Sequence, residues 1–191
     1  LLAVGAPGAT AAVTVQNSTI SGNSASASAG MGGGGVAFVG AGITLVSSTL
    51  AYNTAAAGGA NVHQGAVAGS VLSLRNSIVS NGTLTTAGVP AASRDLYQPG
   101  GATVTSLGYN VVQVRSAATG WSATDAPNGT DPQLAALAAN GGPTPTHALP
   151  AASPGVNLVP LAACVDAAAA PLLRDQRGIA RQVGGDPCDA G

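Results

Sequence analysis

The sequence predicts an all-β protein built as a β-solenoid, in which short coils of chain stack on one another. First, the segment Val13–Asn23 recurs as Ile43–Asn53 and, more loosely, as Leu72–Gly82, with spacings of 30 and then 29 residues. Self-similarity at a fixed period of this size is typical of stacked repeats. Second, each unit holds three short extended pieces separated by turns rich in Gly and Ala. Third, β-branched residues, Gly and Asn dominate, and no helical apolar period is sustained.

The alternation of side chains within each repeat predicts which of them face the core. Thr14 stands between two valines, and because side chains alternate along a strand, the valines can point inward while Thr14 points outward. Stacking the repeats in register then predicts an outward ladder of Thr14, Thr44 and Ser73, with aliphatic ladders inside. After the turn at Asn17, the same rule predicts these inward pairs: Ser18 with Ile20, Ser48 with Leu50, and Ser77 with Val79.

Asparagine closes the first two repeats at equivalent positions, Asn23 and Asn53, and Asn81 lies nearby in the third. Because Asn tolerates left-handed backbone angles and its amide can bond to the next coil, we interpret the stack as a turn device rather than a binding site. The run Gly32–Gly35 is likewise interpreted as a corner or loop, since it matches no phosphate-binding pattern and no helix is expected after it.

The chain beyond the third repeat is less regular. Residues 95–98 and 103–112 are interpreted as a fourth, degenerate coil, and Trp121 is expected to cover the end of the apolar stack. The segment DPQLAALAAN is expected to form one short helix, and the Pro-rich remainder to be irregular. We therefore expect two parts, about four coils over 1–116 and an irregular, disulfide-linked C-terminal cap over 117–191 that packs on the solenoid.

The composition limits the kinds of partner. Only 7% of the 191 residues are charged, and the charges are six Arg and seven Asp, with no Lys and no Glu. This balance excludes a broad electrostatic footprint for nucleic acid or an anionic membrane. No apolar run is long enough to span a bilayer, so no membrane insertion is expected. Because Leu1 falls directly into the repeat pattern, we expect the chain to be processed or excised from something longer.

Two cysteines, Cys164 and Cys188, lie near the C-terminus. An even pair in a chain rich in Gly, Ser and Thr and poor in charge favours a disulfide in an oxidising compartment. The alternative is two unrelated buried thiols.

The charged residues concentrate near these cysteines, and two interpretations are open. One is a site for a small ligand or Ca²⁺; the other is a set of Arg–Asp pairs and carbonyl bonds that stitches an irregular cap. We favour the second, because a solenoid needs its open end closed. No cofactor is expected, and His63 and His147 lack partners at metal-ligand spacing, which favours surface or loop positions for both. The charged group consists of Asp166, Arg174, Asp175, Arg177, Arg181, Asp186 and Asp189.

Two sets of segments carry a family resemblance. GGGVAFVGAGITLVSSTLAYN and VTVQNSTISGN resemble the repeats of polymorphic outer-membrane proteins and related right-handed parallel β-helix proteins. TSLGYNVV, DPQLAALAANGGPTPTHALPAASPGVN and DQRGIAR with the final CDAG resemble the closing segment of bacterial secreted β-helix proteins, which often carry a CSLREA or choice-of-anchor segment. The resemblance implies a right-handed parallel β-helix at the cell surface or beyond, and it implies no reaction.

The leading functional hypothesis is therefore a non-enzymatic extracellular protein that serves as a stalk, adhesin-like passenger or filament subunit. Self-association is expected through open coil ends, head to tail, and surface glycans are further candidate partners. The competing class is a carbohydrate-binding or polysaccharide-degrading, pectate-lyase-like domain. Catalysis on the repeats is disfavoured because residues 1–88 contain no acid and only one charge, Arg75. A third hypothesis is ice or surface binding through the hydroxyl ladder.

Overall fold

The computed structural model describes residues 1–5, 11–26, 32–115, 119–181 and 185–191. Within these ranges, parallel strands stack coil upon coil into a β-solenoid with three complete coils and a shortened fourth. The predicted fold class is therefore confirmed. The expected boundary between residues 116 and 117 lies outside the described residues.

Each complete coil contains four short strands rather than the three that the sequence predicts. Coil 1 has β1 (Leu2–Val4), β2 (Ala11–Gln16), β3 (Thr19–Ser21) and β4 (Ser24–Ala25). Coil 2 has β5 (Val36–Val39), β6 (Ala41–Val46), β7 (Thr49–Ala51) and β8 (Thr54–Ala55). Coil 3 has β9 (Val62–Gln64), β10 (Val71–Arg75), β11 (Ile78–Ser80) and β12 (Thr83–Leu84). The fourth coil has β13 (Leu96–Tyr97), β14 (Thr103–Ser106) and β15 (Val111–Val112).

Equivalent strands of successive coils pair into four parallel sheets. Sheet A contains β1, β5, β9 and β13; sheet B contains β2, β6, β10 and β14; sheet C contains β3, β7, β11 and β15; sheet D contains β4, β8 and β12. The register preserves the sequence repeat, since Thr14 pairs with Thr44 and Thr44 with Ser73. Thr105 of the fourth coil continues the column.

The core inside the coils is filled by inward-facing aliphatic side chains. In the second and third coils these are almost fully buried, with Ile43 at 1% exposure and Leu45 and Leu72 at 0%. Each side chain of this size that is removed from water contributes about 1.5–3 kcal/mol. In coil 1 the same columns hold Val13 and Val15, which are only half-buried, because β2 is the outermost strand of sheet B.

Two corners in each coil turn the chain from sheet B into sheet C and from sheet C into sheet D. Left-handed backbone angles make these turns, and Asn adopts them at little cost, whereas a residue such as Tyr pays roughly 1 kcal/mol or more. The residues with positive φ are Asn17, Ser47, Asn76 and Tyr109 at the first corner and Gly22, Tyr52 and Asn81 at the second.

Residues 119–133, called the end loop, cover the fourth coil. Backbone N–H groups of Ser106 and Ala126 bond to Gly120 and Asn110, respectively, which ties the loop to β14 and to the first corner. Trp121 packs against the main core from the loop, and the Arg115 guanidinium lies 4.3 Å from its ring centroid. Trp121 therefore takes the covering position expected of it.

The rest of the chain, residues 134–181 and 185–191, is called the strap because it runs back along the side of the stack. It contacts all three complete coils: Gln176 bonds to Thr19 in coil 1, Leu134 to Tyr52 in coil 2, and Ala163 to Asn76 in coil 3. We expected the charged segment to close the open end of the solenoid. Instead the end loop closes one end, and the strap covers the outer face of sheet C.

A second hydrophobic cluster holds the strap on that face. Outward residues of sheet C, among them Ala51, Ile78 and Val111, pack against strap residues that include Val159 and Ala190. All five are buried at 2% exposure or less. Ile or Val at an outward position of a strand is the sequence signal for a covered face.

The helix expected in DPQLAALAAN is absent from the structure. Leu134 is drawn into the second cluster, and Leu137–Ala138 (β16) pairs antiparallel with Thr146–His147 (β17). Long-range packing and a hairpin thus override the helix propensity of Ala and Leu. The helical segments in the described ranges are two single 3-10 turns, Ala91–Ser93 and Leu161–Ala163.

Candidate functional site

An amide ladder runs through the stack beside the second corner. The Oδ1 atom of the fully buried Asn53 accepts hydrogen bonds from the backbone N–H of Asn23 at 2.9 Å and from its Nδ2 at 3.0 Å. Asn53 Nδ2 donates to the carbonyl of Ile20 and, at 2.8 Å, to Oδ1 of Asn61. Asn61 Nδ2 donates in turn to Oδ1 of Asp95 at 2.8 Å. The amides of Asn53 and Asn61 both accept and donate, so the ladder bonds one coil to the next.

The third rung is not the asparagine that the sequence suggests. Thr54 pairs with Thr83, so the position equivalent to Asn53 is Gly82, and Asn81 stands at the corner instead. A Cβ atom at Gly82 would lie 2.8 Å from Asp95 Oδ1, because the side chains of the next turn already fill this space. Glycine is required here, and Asn61 supplies the amide.

Asp95 ends the ladder in the fourth coil and is fully buried. Its Oδ1 also accepts from the N–H of Gly82 at 2.6 Å, and its Oδ2 lies 3.3 Å from the Arg94 guanidinium. Burial raises the pKa of Asp95 above its ordinary value, although the Gly82 N–H, the Arg94 charge and the Asn61 amide pull it down in part. The carboxylate is therefore used as a buried acceptor.

A second ladder runs along the first corner through the inward serines. The N–H of Ser18 donates to Ser48 Oγ, and the N–H of Ser48 donates to Ser77 Oγ. The N–H of Ser77 donates to Asn110 Oδ1 at 2.9 Å, and the N–H of Asn110 donates to Asp125 Oδ1 at 2.9 Å. Like the first ladder, this one ends on a carboxylate in the region that follows the third coil.

The acids of the strap hold its irregular turns. Asp175 accepts two backbone N–H groups of its own turn and pairs with Arg177 at 2.6 Å. Asp166 likewise accepts two backbone N–H groups, and Asp189 accepts the N–H of Asn157. In the described part of the chain, no three His, Cys, Asp or Glu side chains are grouped closely enough to hold a metal ion. These contacts favour the stitching interpretation over the Ca²⁺ site.

Arg181 is the side chain that joins the strap to the coils. Its Nη2 donates to Asn17 Oδ1 at 2.7 Å, to the Gly191 carbonyl at 2.9 Å and to the Ser47 carbonyl at 3.4 Å, and Nη1 donates to the Asp189 carbonyl. Burial lowers the pKa of Arg181, and the charges of nearby aspartates offset this in part. The guanidinium thus binds four oxygens contributed by the first corner and by the strap.

The remaining two members of the charged group lie at the surface. Arg174 is exposed and its Nη1 bonds within the strap to the Gly178 carbonyl, while its own carbonyl accepts from Asn17 Nδ2 at 2.8 Å. Asp186 is also exposed.

A polar cavity of about 230 Å³ lies between the strap and sheet C. Its lining includes Thr49, His147 and Arg181. The two ring nitrogens of His147 lie 2.8 Å from Ser21 Oγ and 2.7 Å from the carbonyl of Ala135. The contact with Ser21 joins the strap to coil 1.

The predicted disulfide between Cys164 and Cys188 is present, and both residues are 1% exposed. It links two parts of the strap that are 24 residues apart and packs in the second cluster. A bridge that closes a loop of this length contributes about 3 kcal/mol in the chain-entropy view.

The hydroxyl column occupies the outer face of sheet B. Thr14 and Thr105 are exposed at its two ends, while Thr44 and Ser73 are partly covered by their neighbours. The column spans the four strands of sheet B.

His63 differs from the expectation of a surface or loop residue, because it lies in β9 and is only 4% exposed. Gly32 and Gly58, from two other turns, approach its Nδ1 at 3.2 and 2.7 Å and cover it. Sequence reasoning also missed Asn61, Asp95, Asn110 and Asp125 as ladder members. For Asp95 the visible signal is an isolated acid just after the acid-free residues 1–88.

Comparison with protein-family models, with curated proteins and with solved structures found no match. None of the helical segments in the described ranges is long and apolar enough to cross a bilayer.

Proposed function

We propose that this chain is a non-enzymatic extracellular structural protein, a stalk or adhesin-like passenger built on a β-helix. The observation that carries the proposal is the use of its charged groups. Asp95 and Asp125 end ladders, Asp166 and Asp175 hold turns, and Arg181 attaches the strap. Polysaccharide-cleaving enzymes instead need carboxyl groups that face the substrate as acid, base or nucleophile.

The extracellular setting has two supports. A buried disulfide persists in oxidising compartments and is rare in the cytosol. The C-terminal segment also resembles the closing segment of bacterial secreted β-helix proteins.

Self-association through the first coil is part of the proposal. The strands β1 to β4 are the outermost members of their sheets, and Leu2 and Val4 are more than half exposed, at 63% and 62%. Within the described ranges no further strand pairs with these edges, and an unpaired strand edge is a template for pairing with another chain. Head-to-tail growth would need a second open end, but the end loop covers the fourth coil, so we propose pairing of first coil with first coil. Such a contact is closed and gives a dimer rather than a filament.

The proposal is tested by asking whether the charged side chains stabilise the fold or carry out a reaction. We expect no release of sugars from pectin, xylan, cellulose or chitin. We expect Asp125→Asn and Asp175→Asn each to lower the free energy of unfolding by about 1–3 kcal/mol, because N–H groups and a guanidinium lose a charged acceptor. Asp186→Asn, at an exposed position, is the matched control and is expected to change stability little.

Turnover of any of these polysaccharides would overturn the proposal, most directly if Asp175→Asn abolished it while the melting temperature stayed the same. The runner-up, a carbohydrate-degrading domain, would then take its place. Carbohydrate binding without cleavage is compatible with an adhesin, and an uncharged cavity beside Tyr97 favours it.

A further inference from the structure

A cavity of about 490 Å³ lies on the outer side of sheet A, away from the strap. His63 of β9 and Tyr97 of β13 form one wall, since they are paired in register on adjacent coils. Their ring centroids are 5.0 Å apart and the planes are tilted by 33°. The volume falls in the range of small-molecule sites, roughly 300–1,000 Å³.

The imidazole of His63 presents an acceptor to this cavity. Its Nδ1 has two neighbours, the carbonyl of Gly58 at 2.7 Å, which can only accept, and the backbone N–H of Gly32 at 3.2 Å, which can only donate. The contact with Gly58 is the shorter, so we place the ring proton on Nδ1. Nε2 then carries the lone pair, and no residue that the structure describes is its hydrogen-bond partner. His63 as a whole is 4% exposed, and its Nε2 is not one of the fully enclosed side-chain atoms that lack a partner, so a ligand in the cavity can reach it.

The rest of the lining is small, apolar and uncharged. Ala57, Ala87, Val89 and Pro90 contribute aliphatic surface, and the half-exposed Tyr97 contributes an aromatic ring. A charged ligand would lose water here without gaining a charged partner, which is costly. A ring with an apolar face and hydroxyl donors at its edge matches the lining, because the face can pack on Tyr97 while a hydroxyl donates to His63.

The site is held rigidly by the sheet and by a glycine. Both rings stand on strands of the solenoid rather than on loops. A Cβ atom at Gly58 would lie 3.0 Å from Ser93 Oγ and 3.0 Å from Cδ2 of Tyr97. Glycine therefore lets the backbone lie against the Tyr97 ring and keeps the floor of the cavity open.

We propose that this cavity binds one neutral pyranose residue of a glycan, with its C–H face on Tyr97 and a hydroxyl bonded to Nε2 of His63. The inference deepens the proposed adhesin-like function and rests on it for the biological setting. The site would give the extracellular β-helix a specific carbohydrate ligand.

The test is NMR titration of the whole chain with cellotriose, xylotriose and chitotriose, and with trigalacturonate as the charged counterpart. We expect at least one neutral trisaccharide to shift the His63 imidazole and Tyr97 ring signals, and trigalacturonate to leave them unchanged. Tyr97→Leu and Gly58→Ala are each expected to weaken that binding about tenfold or more, since an aromatic contact is lost or displaced.

The chain supplies a matched control in its other tyrosine–histidine pair. Tyr52 and His147 have centroids 5.1 Å apart but lie beside sheet C, so Tyr52→Leu is expected to leave the affinity unchanged. Silence of the His63 and Tyr97 signals with every neutral probe would overturn the inference, as would equal binding of trigalacturonate or an equal loss in Tyr52→Leu. Gly58→Ala keeps both rings, so the test does not depend on the Tyr97 variant alone. The NMR signals of His63 and Tyr97 report binding at this cavity only. The proposed structural function would instead be overturned by the release of sugars from a polysaccharide, so the two failures are distinguishable.

Discussion

Asp95 shows how a single residue can be costly and useful at once. Its carboxyl group is fully buried, and burial opposes ionisation, yet it accepts hydrogen bonds from Gly82 and Asn61 that no aliphatic side chain could accept. A leucine in this place would leave two buried donors without partners, at about 1–3 kcal/mol each. The residue is therefore explained by the donors around it.

The raised pKa of Asp95 gives a pH dependence with a definite sign. Between the unfolded-state pKa near 4 and the higher folded-state value, the folded chain holds more protons than the unfolded chain, so this group makes stability fall as pH rises. We expect urea denaturation to show this fall in the wild type, with a slope of at most about 1.4 kcal/mol per pH unit. In Asp95→Asn the contribution is expected to vanish. Parallel pH profiles for the two proteins would contradict the prediction.

The strap is the element that sequence periodicity describes least. It has no repeat, two residues in each of its paired strands and a disulfide, yet it covers sheet C across three coils. Its attachment depends on specific contacts, above all those of Arg181 with Asn17 and Ser47. These contacts join positions more than a hundred residues apart in the chain.

Removing this attachment has an expected consequence. Arg181→Gln is expected to raise hydrogen exchange in sheet C, near Ile78, and to speed proteolysis of the strap by about tenfold, because four oxygens lose their donor. Arg174→Gln is the matched control, since the Arg174 guanidinium bonds only within the strap. Equal exchange in the Arg181 variant and the wild type would show that the second cluster alone holds the strap.

At the scale of the whole molecule, the two ends of the stack differ. The end loop seals the fourth coil with Trp121 and backbone bonds, whereas the columns at the first coil, including Val15, stay half-buried. In the described residues, the core columns are thus closed off at the fourth coil and only partly covered at the first. This asymmetry is what makes the proposed contact a closed pair.

An edge variant tests that contact. We expect the wild type to form dimers as its concentration rises, seen by light scattering and as double-length particles in negative stain. Thr14→Lys places a charge on the exposed side of β2, the outermost strand of sheet B, and is expected to abolish the dimer, because natural edge strands use lysine to prevent association. Leu107→Lys, at a 46% exposed position in the fourth coil, is expected to leave it intact. A wild type that stays monomeric at every concentration would contradict the pairing.

The repeat was predictable from sequence because it depends on local order. Thr14, Thr44 and Ser73 lie one repeat apart in the sequence. Because side chains alternate between the two faces of a strand every second residue, their neighbours are expected to face inward. His63 could not be placed this way, because glycines from two other turns bury an outward position. The prediction of a helix around Leu134 was wrong for the same reason, because that side chain packs into a cluster formed by residues distant in the sequence. Contacts between unrelated segments leave no period in the sequence.

The two ladders also give the stack a direction. A ladder residue receives a bond on its amide or hydroxyl oxygen and passes one on through its amide nitrogen or its backbone N–H. An ionised carboxylate only receives, so Asp95 and Asp125 act as terminators. A stack of this kind can change its length by duplicating whole units in its middle, each adding about 4.8 Å, while both finished ends remain as they are. Duplication of single repeats is thus a route by which this architecture can vary in reach without redesign.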